Sequence, residues 1–180
     1  MSWDAGDALA DMVREYRAIK SKAERALDQV DDTAYFVLRD EGGNSIAVLV
    51  RHMAGNMRSR WRDFLTTDGE KPDRHRDGEF EIPEGATRAR LMGDWEASWA
   101  LCLDTIEALE ASHLGDTITI RREPMTVYQA LVRQLTHYTY HLGQIVQLAR
   151  AEAGSRWKPL SIPRGGSEQA REAGGTYLSR

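Results

Sequence analysis

The stretch from Thr126 to Ala153, TVYQALVRQLTHYTYHLGQIVQLARAEA, constrains the fold more than any other part of the chain. Val127, Leu131, Leu135, Tyr138, Leu142, Ile145 and Ala149 recur at helical spacing, so the stretch reads as one long amphipathic helix with a single apolar stripe. Such a helix has to bury its stripe against another element. Three further segments offer matching stripes. A first helix is expected over Asp4–Val30, with Leu9, Met12, Val13, Tyr16, Ala23, Leu27 and Val30 on one face. A second spans Ser45–Leu65, with Ile46, Leu49, Val50, Met53, Met57, Trp61 and Phe64. A third begins at the capping residue Thr87 and runs to Ser112, burying Leu91, Trp95, Trp99, Cys102, Ile106 and Leu109. Residues 66–86 read as a charged loop, rich in Gly and Pro. The alternating, β-branched run Thr117–Ile120 reads as a short extended connector that Pro124 ends. The expected fold is all-α, a four-helix bundle.

The length of 180 residues suits one domain. Residues 1–165 form the expected bundle domain, and residues 166–180 a polar, Gly-rich tail whose approach Trp157, Leu160 and Ile162 pin to the body. The net charge of −4 argues against nucleic acid as a partner, because binding phosphate needs a basic patch or stripe. Cys102 is the only cysteine, which excludes an intrachain disulfide and a four-cysteine zinc site, and its place on an apolar face makes it a core residue. The acidic N-terminus has no signal-peptide pattern and no run of about 18 apolar residues occurs, so no membrane association and a cytoplasmic location are expected.

The last helix also carries His137 and His141, one turn apart on the same face. With Gln134 and Gln144 they line one edge of the apolar stripe. His52 sits on the corresponding flank of the second helix, near Asn56 and Ser59. If those edges meet, three imidazoles converge. Three neutral imidazoles suit zinc, nickel, iron or copper and leave a position open for water or substrate. Asn56, Gln134, Tyr138 and Gln144 are the candidates for orienting ligands or lining a pocket. The competing reading is that each histidine is a hydrogen-bonded border residue and that the pair at this spacing is coincidental. His75 and His113 read as surface residues, and Lys71, Arg74 and Arg76, alternating with acids, as a solvated surface.

The segments SIAVLVRHMAGNMRSRWRDFLTTDGEKP (45–72), RDGEF (76–80), QLTHYTYHLGQI (134–145) and LSIPRG (160–165) carry a resemblance to a known family. The chain resembles the DinB/YfiT-like superfamily of metal-dependent enzymes and, within it, the DUF1572 group. The resemblance implies a four-helix bundle, often dimeric, with a divalent metal ion on three histidines that fall here on His52, His137 and His141. Some superfamily members are S-transferases that use a low-molecular-weight thiol such as mycothiol, bacillithiol or glutathione. The expected function is therefore a metal-dependent transferase or hydrolase, acting on a small molecule as a homodimer. Zinc or nickel is the first expectation for the ion, with iron or copper next. The alternative is a non-enzymatic metal-binding stress protein, or a dimeric interaction module with an inert site. Gly166 stands where this group is expected to have Gln, which leaves the three histidines untouched.

Overall fold

The computed structural model describes residues 4–174 and is mostly helical, with one small two-stranded sheet. Four long helices dominate: α1 (Ala5–Leu27), α3 (Ile46–Trp61), α4 (Arg88–Glu107) and α5 (Val127–Ala153). Two short ones, α2 (Asp32–Phe36) and α6 (Ser167–Glu172), flank them. Each long helix begins where a side chain can satisfy its free amides. Asp4 and Asp7 form a reciprocal capping box on α1, and Thr126 and Gln129 form one on α5. Ser45 caps α3 and Thr87 caps α4 through single side-chain acceptors. At the end of α5, Gly154 takes φ 55°, a left-handed value that costs glycine nothing.

Helix α3 packs mainly on α4, and α1 on α5; α3 also meets α5, and α1 meets α4. All four contribute to one aromatic centre. Tyr16 of α1 stands edge-on to Trp61 of α3 at 5.8 Å and to Tyr138 of α5 at 6.0 Å, and Trp99 of α4 meets Tyr138 at 5.6 Å. Such rings bury large areas, and their polar ends need partners. Tyr16 Oη donates to the Leu131 carbonyl at 2.7 Å, and Trp61 Nε1 donates to Tyr138 Oη at 2.9 Å. Cys102 is buried in the same core.

Several expected boundaries shift. The first helix ends at Leu27 rather than Val30, the second at Trp61 rather than Leu65, and the third at Glu107 rather than Ser112. The connector is a hairpin: β1 (Thr117–Ile120) pairs antiparallel with β2 (Glu123–Thr126), so Pro124 lies inside a strand, opposite Thr119. Both strands of a two-stranded sheet are edges, which is where a residue without an amide donor is tolerated. The tail includes α6, and residues 175–180 of the expected tail lie outside the described residues. Among the described residues no helix is long and apolar enough to cross a membrane.

The loop between α3 and α4 folds back onto α3. The Gly69 amide donates to the Thr119 carbonyl at 2.8 Å, Ser59 Oγ donates to the Gly69 carbonyl at 2.8 Å, and the Lys71 amide donates to Ser59 Oγ at 3.0 Å. A 3-10 turn, Asp77–Phe80, then lays Glu79 and Phe80 against α3. Arg51 of α3 caps that turn by donating to the carbonyls of Gly78 and Glu81.

Candidate metal centre

Helices α3 and α5 bring His52, His137 and His141 together. One ring nitrogen from each lies within 4.8 Å of the others, which is close enough for the three to hold one metal ion. His52 is 3% exposed and His141 7%, while His137 is half-buried. The rings meet at steep angles: His52 lies 4.9 Å from His141 and 5.6 Å from His137, centroid to centroid.

Hydrogen bonds on the outer nitrogens set the tautomers. His52 Nδ1 lies 2.8 Å from Glu79 Oε2, a carboxylate that can only accept, so Nδ1 carries the proton and Nε2 keeps its lone pair. His141 Nδ1 lies 2.8 Å from Gln144 Oε1, and Gln144 Nε2 in turn faces Tyr140 Oη at 3.5 Å. His141 therefore also presents Nε2 as a lone pair. That atom lies 3.0 Å from His137 Nε2, while His137 Nδ1 is buried with no hydrogen-bond partner among the described residues. Two ring nitrogens facing each other need a shared proton or a shared cation between them. Neutral imidazoles with their outer N–H groups held by a carboxylate and an amide are the donor chemistry that suits a divalent ion.

The electrostatics keep the site in that state. Burial, and then the neighbouring His141 and His52, pull His137 down to about 3. Burial likewise lowers His141, against the opposing bond to Gln144. Both rings are accordingly neutral near pH 7. Burial alone would raise the Glu79 carboxyl, but the Arg74 guanidinium and His52 hold it below its ordinary value. Arg74 grips both oxygens, Nε to Oε1 and Nη2 to Oε2, each at 2.8 Å. Glu79 is thus an anchored orienter of His52, and Phe80 covers the same ring at 4.6 Å between centroids. Gly55, on α3, makes room for the carboxylate: a Cβ there would stand 2.4 Å from Glu79 Oε1.

Of the expected supporting residues, Gln144 does hold a histidine. Asn56, Gln134 and Tyr138 instead bind one another in the core: Gln134 Nε2 donates to Asn56 Oδ1 at 2.8 Å and to Tyr138 Oη at 3.2 Å, and Tyr138 Oη donates to Asn56 Oδ1 at 3.2 Å. Among the described residues none of these three hydrogen-bonds a histidine ring. Glu79 is not among the candidate residues of the sequence, and Arg74 and Lys71, expected on a solvated surface, lie inside. The Arg74 side chain is 4% exposed and Lys71 is 6% exposed. The RDGEF stretch carries the family resemblance, but nothing in it marks Glu79 as the acid that turns inward. His75 is exposed, and His113 sits after α4, where its Nδ1 accepts from the Glu110 amide at 2.9 Å.

In a comparison with protein families, residues 5–166 match the family described as protein of unknown function, DUF1572. No curated protein and no solved structure matches the chain.

Proposed function

The chain belongs to the DUF1572 family, and we propose that it is a metal-dependent enzyme of the DinB/YfiT-like superfamily, built as a four-helix bundle, with a divalent ion held by His52, His137 and His141. The observation that carries this reading is the convergence of three imidazoles, two of them with the inner nitrogen freed by an anchored acceptor on the outer one. Zinc and nickel are the ions that best fit an all-imidazole set, ahead of iron and copper. Such an ion, when bound, lowers the pKa of a thiol or water in its open position, which is the chemistry of thiol transfer or hydrolysis. The protein's own part is to keep the imidazoles neutral, to fix their orientation through Glu79 and Gln144, and to exclude water from His52 with Phe80.

Metal content of purified protein tests the site. Wild-type protein is expected to hold about one equivalent, and His52→Ala and His141→Ala to lose most of it while remaining helical by circular dichroism. Retention of full metal in both variants would remove the three-histidine assignment.

The burial of His52 and His141 favours a second reading, a closed metal-binding or inert site in a stress or interaction protein. Cobalt-substituted protein separates the two. A visible absorption spectrum that moves on addition of a small thiol means an open position, and one that does not move means a closed site. A homodimer is part of the same proposal. Tyr128 and Val132, exposed one turn apart on α5, offer a self-pairing face. Sedimentation of wild-type and Val132→Asp protein is expected to give dimer and monomer respectively; a wild-type monomer would end that part of the proposal.

A further inference from the structure

A cleft of about 240 Å³ opens between α3 and its returning loop, and none of the three histidines lines it. Five cations do: Arg51, Arg58, Arg62, Lys71 and Arg74. The carboxylates in its wall are Asp73 and Glu79, and each is already claimed. Asp73 is held by Arg62 through two hydrogen bonds, and Glu79 by both donor groups of Arg74. Arg51 is spent on two carbonyls of the 3-10 turn. Two cations remain that, among the described residues, no carboxylate hydrogen-bonds. Arg58 reaches Asp94 only at 3.8 Å and is half-exposed. Lys71 is 6% exposed, its ammonium donates to the Asp68 carbonyl, and among the described residues it forms no ion pair.

A buried ammonium whose side-chain hydrogen bond goes to a neutral carbonyl is costly, and a counter-ion in contact with it reduces that cost. Burial, and then the charge of Arg62, lowers the Lys71 pKa against the opposing charges of Asp63 and Asp68. The volume is below the roughly 300–1,000 Å³ of sites that enclose drug-sized ligands, so the occupant is small. Guanidinium forks beside an ammonium match the oxygens of a tetrahedral oxyanion.

We propose that this cleft is an oxyanion-binding site for phosphate or a terminal phosphate group, with Lys71 and Arg58 supplying the cationic groups that no carboxylate among the described residues hydrogen-bonds. The assignment does not depend on the metal reading, although Arg74 and Glu79 join the two sites physically: an anion in the cleft shares a wall with the carboxylate that orients His52. In the metal-dependent reading, that places the anionic end of a substrate or effector beside the centre.

The test is calorimetric titration of metal-free protein with inorganic phosphate, against sodium chloride at matched ionic strength. Saturable binding of phosphate alone is expected. Lys71→Met should weaken it by about tenfold or more, the scale of one charged hydrogen bond. Arg58→Gln, at a half-exposed position, should weaken it by a smaller factor and decides the matter if Lys71→Met does not fold. His137→Ala should bind phosphate as the wild type does. A parallel titration with phenyl phosphate distinguishes sources: tighter binding than inorganic phosphate assigns a terminal phosphate group, and weaker binding assigns the free ion. No difference between phosphate and chloride overturns the site, as does phosphate binding that appears only after metal is added, or that is unaffected by both cleft variants.

Discussion

At the scale of single residues, the arrangement around His52 rests on an atom that is missing. Gly55 has no Cβ, and that vacancy is where the Glu79 carboxylate lies. Gly55→Ala improves helix propensity by about 1 kcal/mol, yet it puts a methyl group into a carboxylate that Arg74 cannot release without losing two hydrogen bonds. The expected outcome is metal affinity reduced by about 10–100-fold, as for other outer-shell changes, in a protein of normal helicity; competition with a chromophoric chelator measures it. Acid should act through the histidines. In metal-free protein His137 titrates near 3 when folded and at its ordinary value near 6.5 when unfolded. Between those values the unfolded chain binds more protons, so its contribution to stability is fully present above about 6.5 and is lost as pH falls toward about 3. The thermal midpoint of metal-free protein should fall between pH 7 and pH 5, and His137→Gln should flatten that slope. His141 shifts in the same direction and adds to it. The carboxylates Glu70 and Glu79 are held below their ordinary range and enter only at lower pH. The pair His137 and His141 was readable because a helix makes spacing equivalent to geometry. Glu79 was not, because a loop has no period and only tertiary contact says which of its acids turns inward.

At the scale of elements, the loop after α3 functions as a wall of the candidate centre. Charge density made it look solvated, but the same charges satisfy each other: Glu70 accepts from Arg60 at 2.9 Å and from Arg121 at 3.1 Å, and Arg74 bridges Glu70 and Glu79. Composition records which charges are present and not which are paired. Arg74→Met leaves the Glu79 carboxylate buried without its main partner, and should cost about 3–5 kcal/mol in urea unfolding, as for other broken buried pairs. Adding Glu79→Gln to it should recover a large part of that loss; a double variant no better than the single one would mean that Arg74 acts by packing alone. The long helices were legible from their stripes and from cap-forming residues at their starts: Thr87 and Thr126 cap as their sequence context suggests, and of Asn44 and Ser45, either of which suits that role, Ser45 takes it. The five-residue α2 is too short to display a period, and the second strand of the hairpin was hidden by Pro124, a residue that reads as a terminator until both strands prove to be edges.

At the scale of the whole molecule, the candidate ligands come from α3 and α5, and α4 lies between them in the chain. Any ion they hold spans the fold and binds only its folded form, so added metal should raise the thermal midpoint in proportion to the logarithm of its concentration. That rise should be absent in His52→Ala. The aromatic centre joining α1, α3, α4 and α5 belongs to one contiguous buried cluster. The hairpin tip is tied to the loop after α3. Arg121 and Arg122 both take left-handed φ values, 56° and 65°, with side chains that rarely do so. Their amides are held by Asp68 of the loop, at 2.9 and 2.7 Å. Proton exchange with solvent should therefore disregard their exposure. These two amides at the tip of a turn should exchange slowly and at the same rate as the Gly69 amide, opening when the loop opens, and Asp68→Asn should release all three together while the amides inside α5 keep their protection.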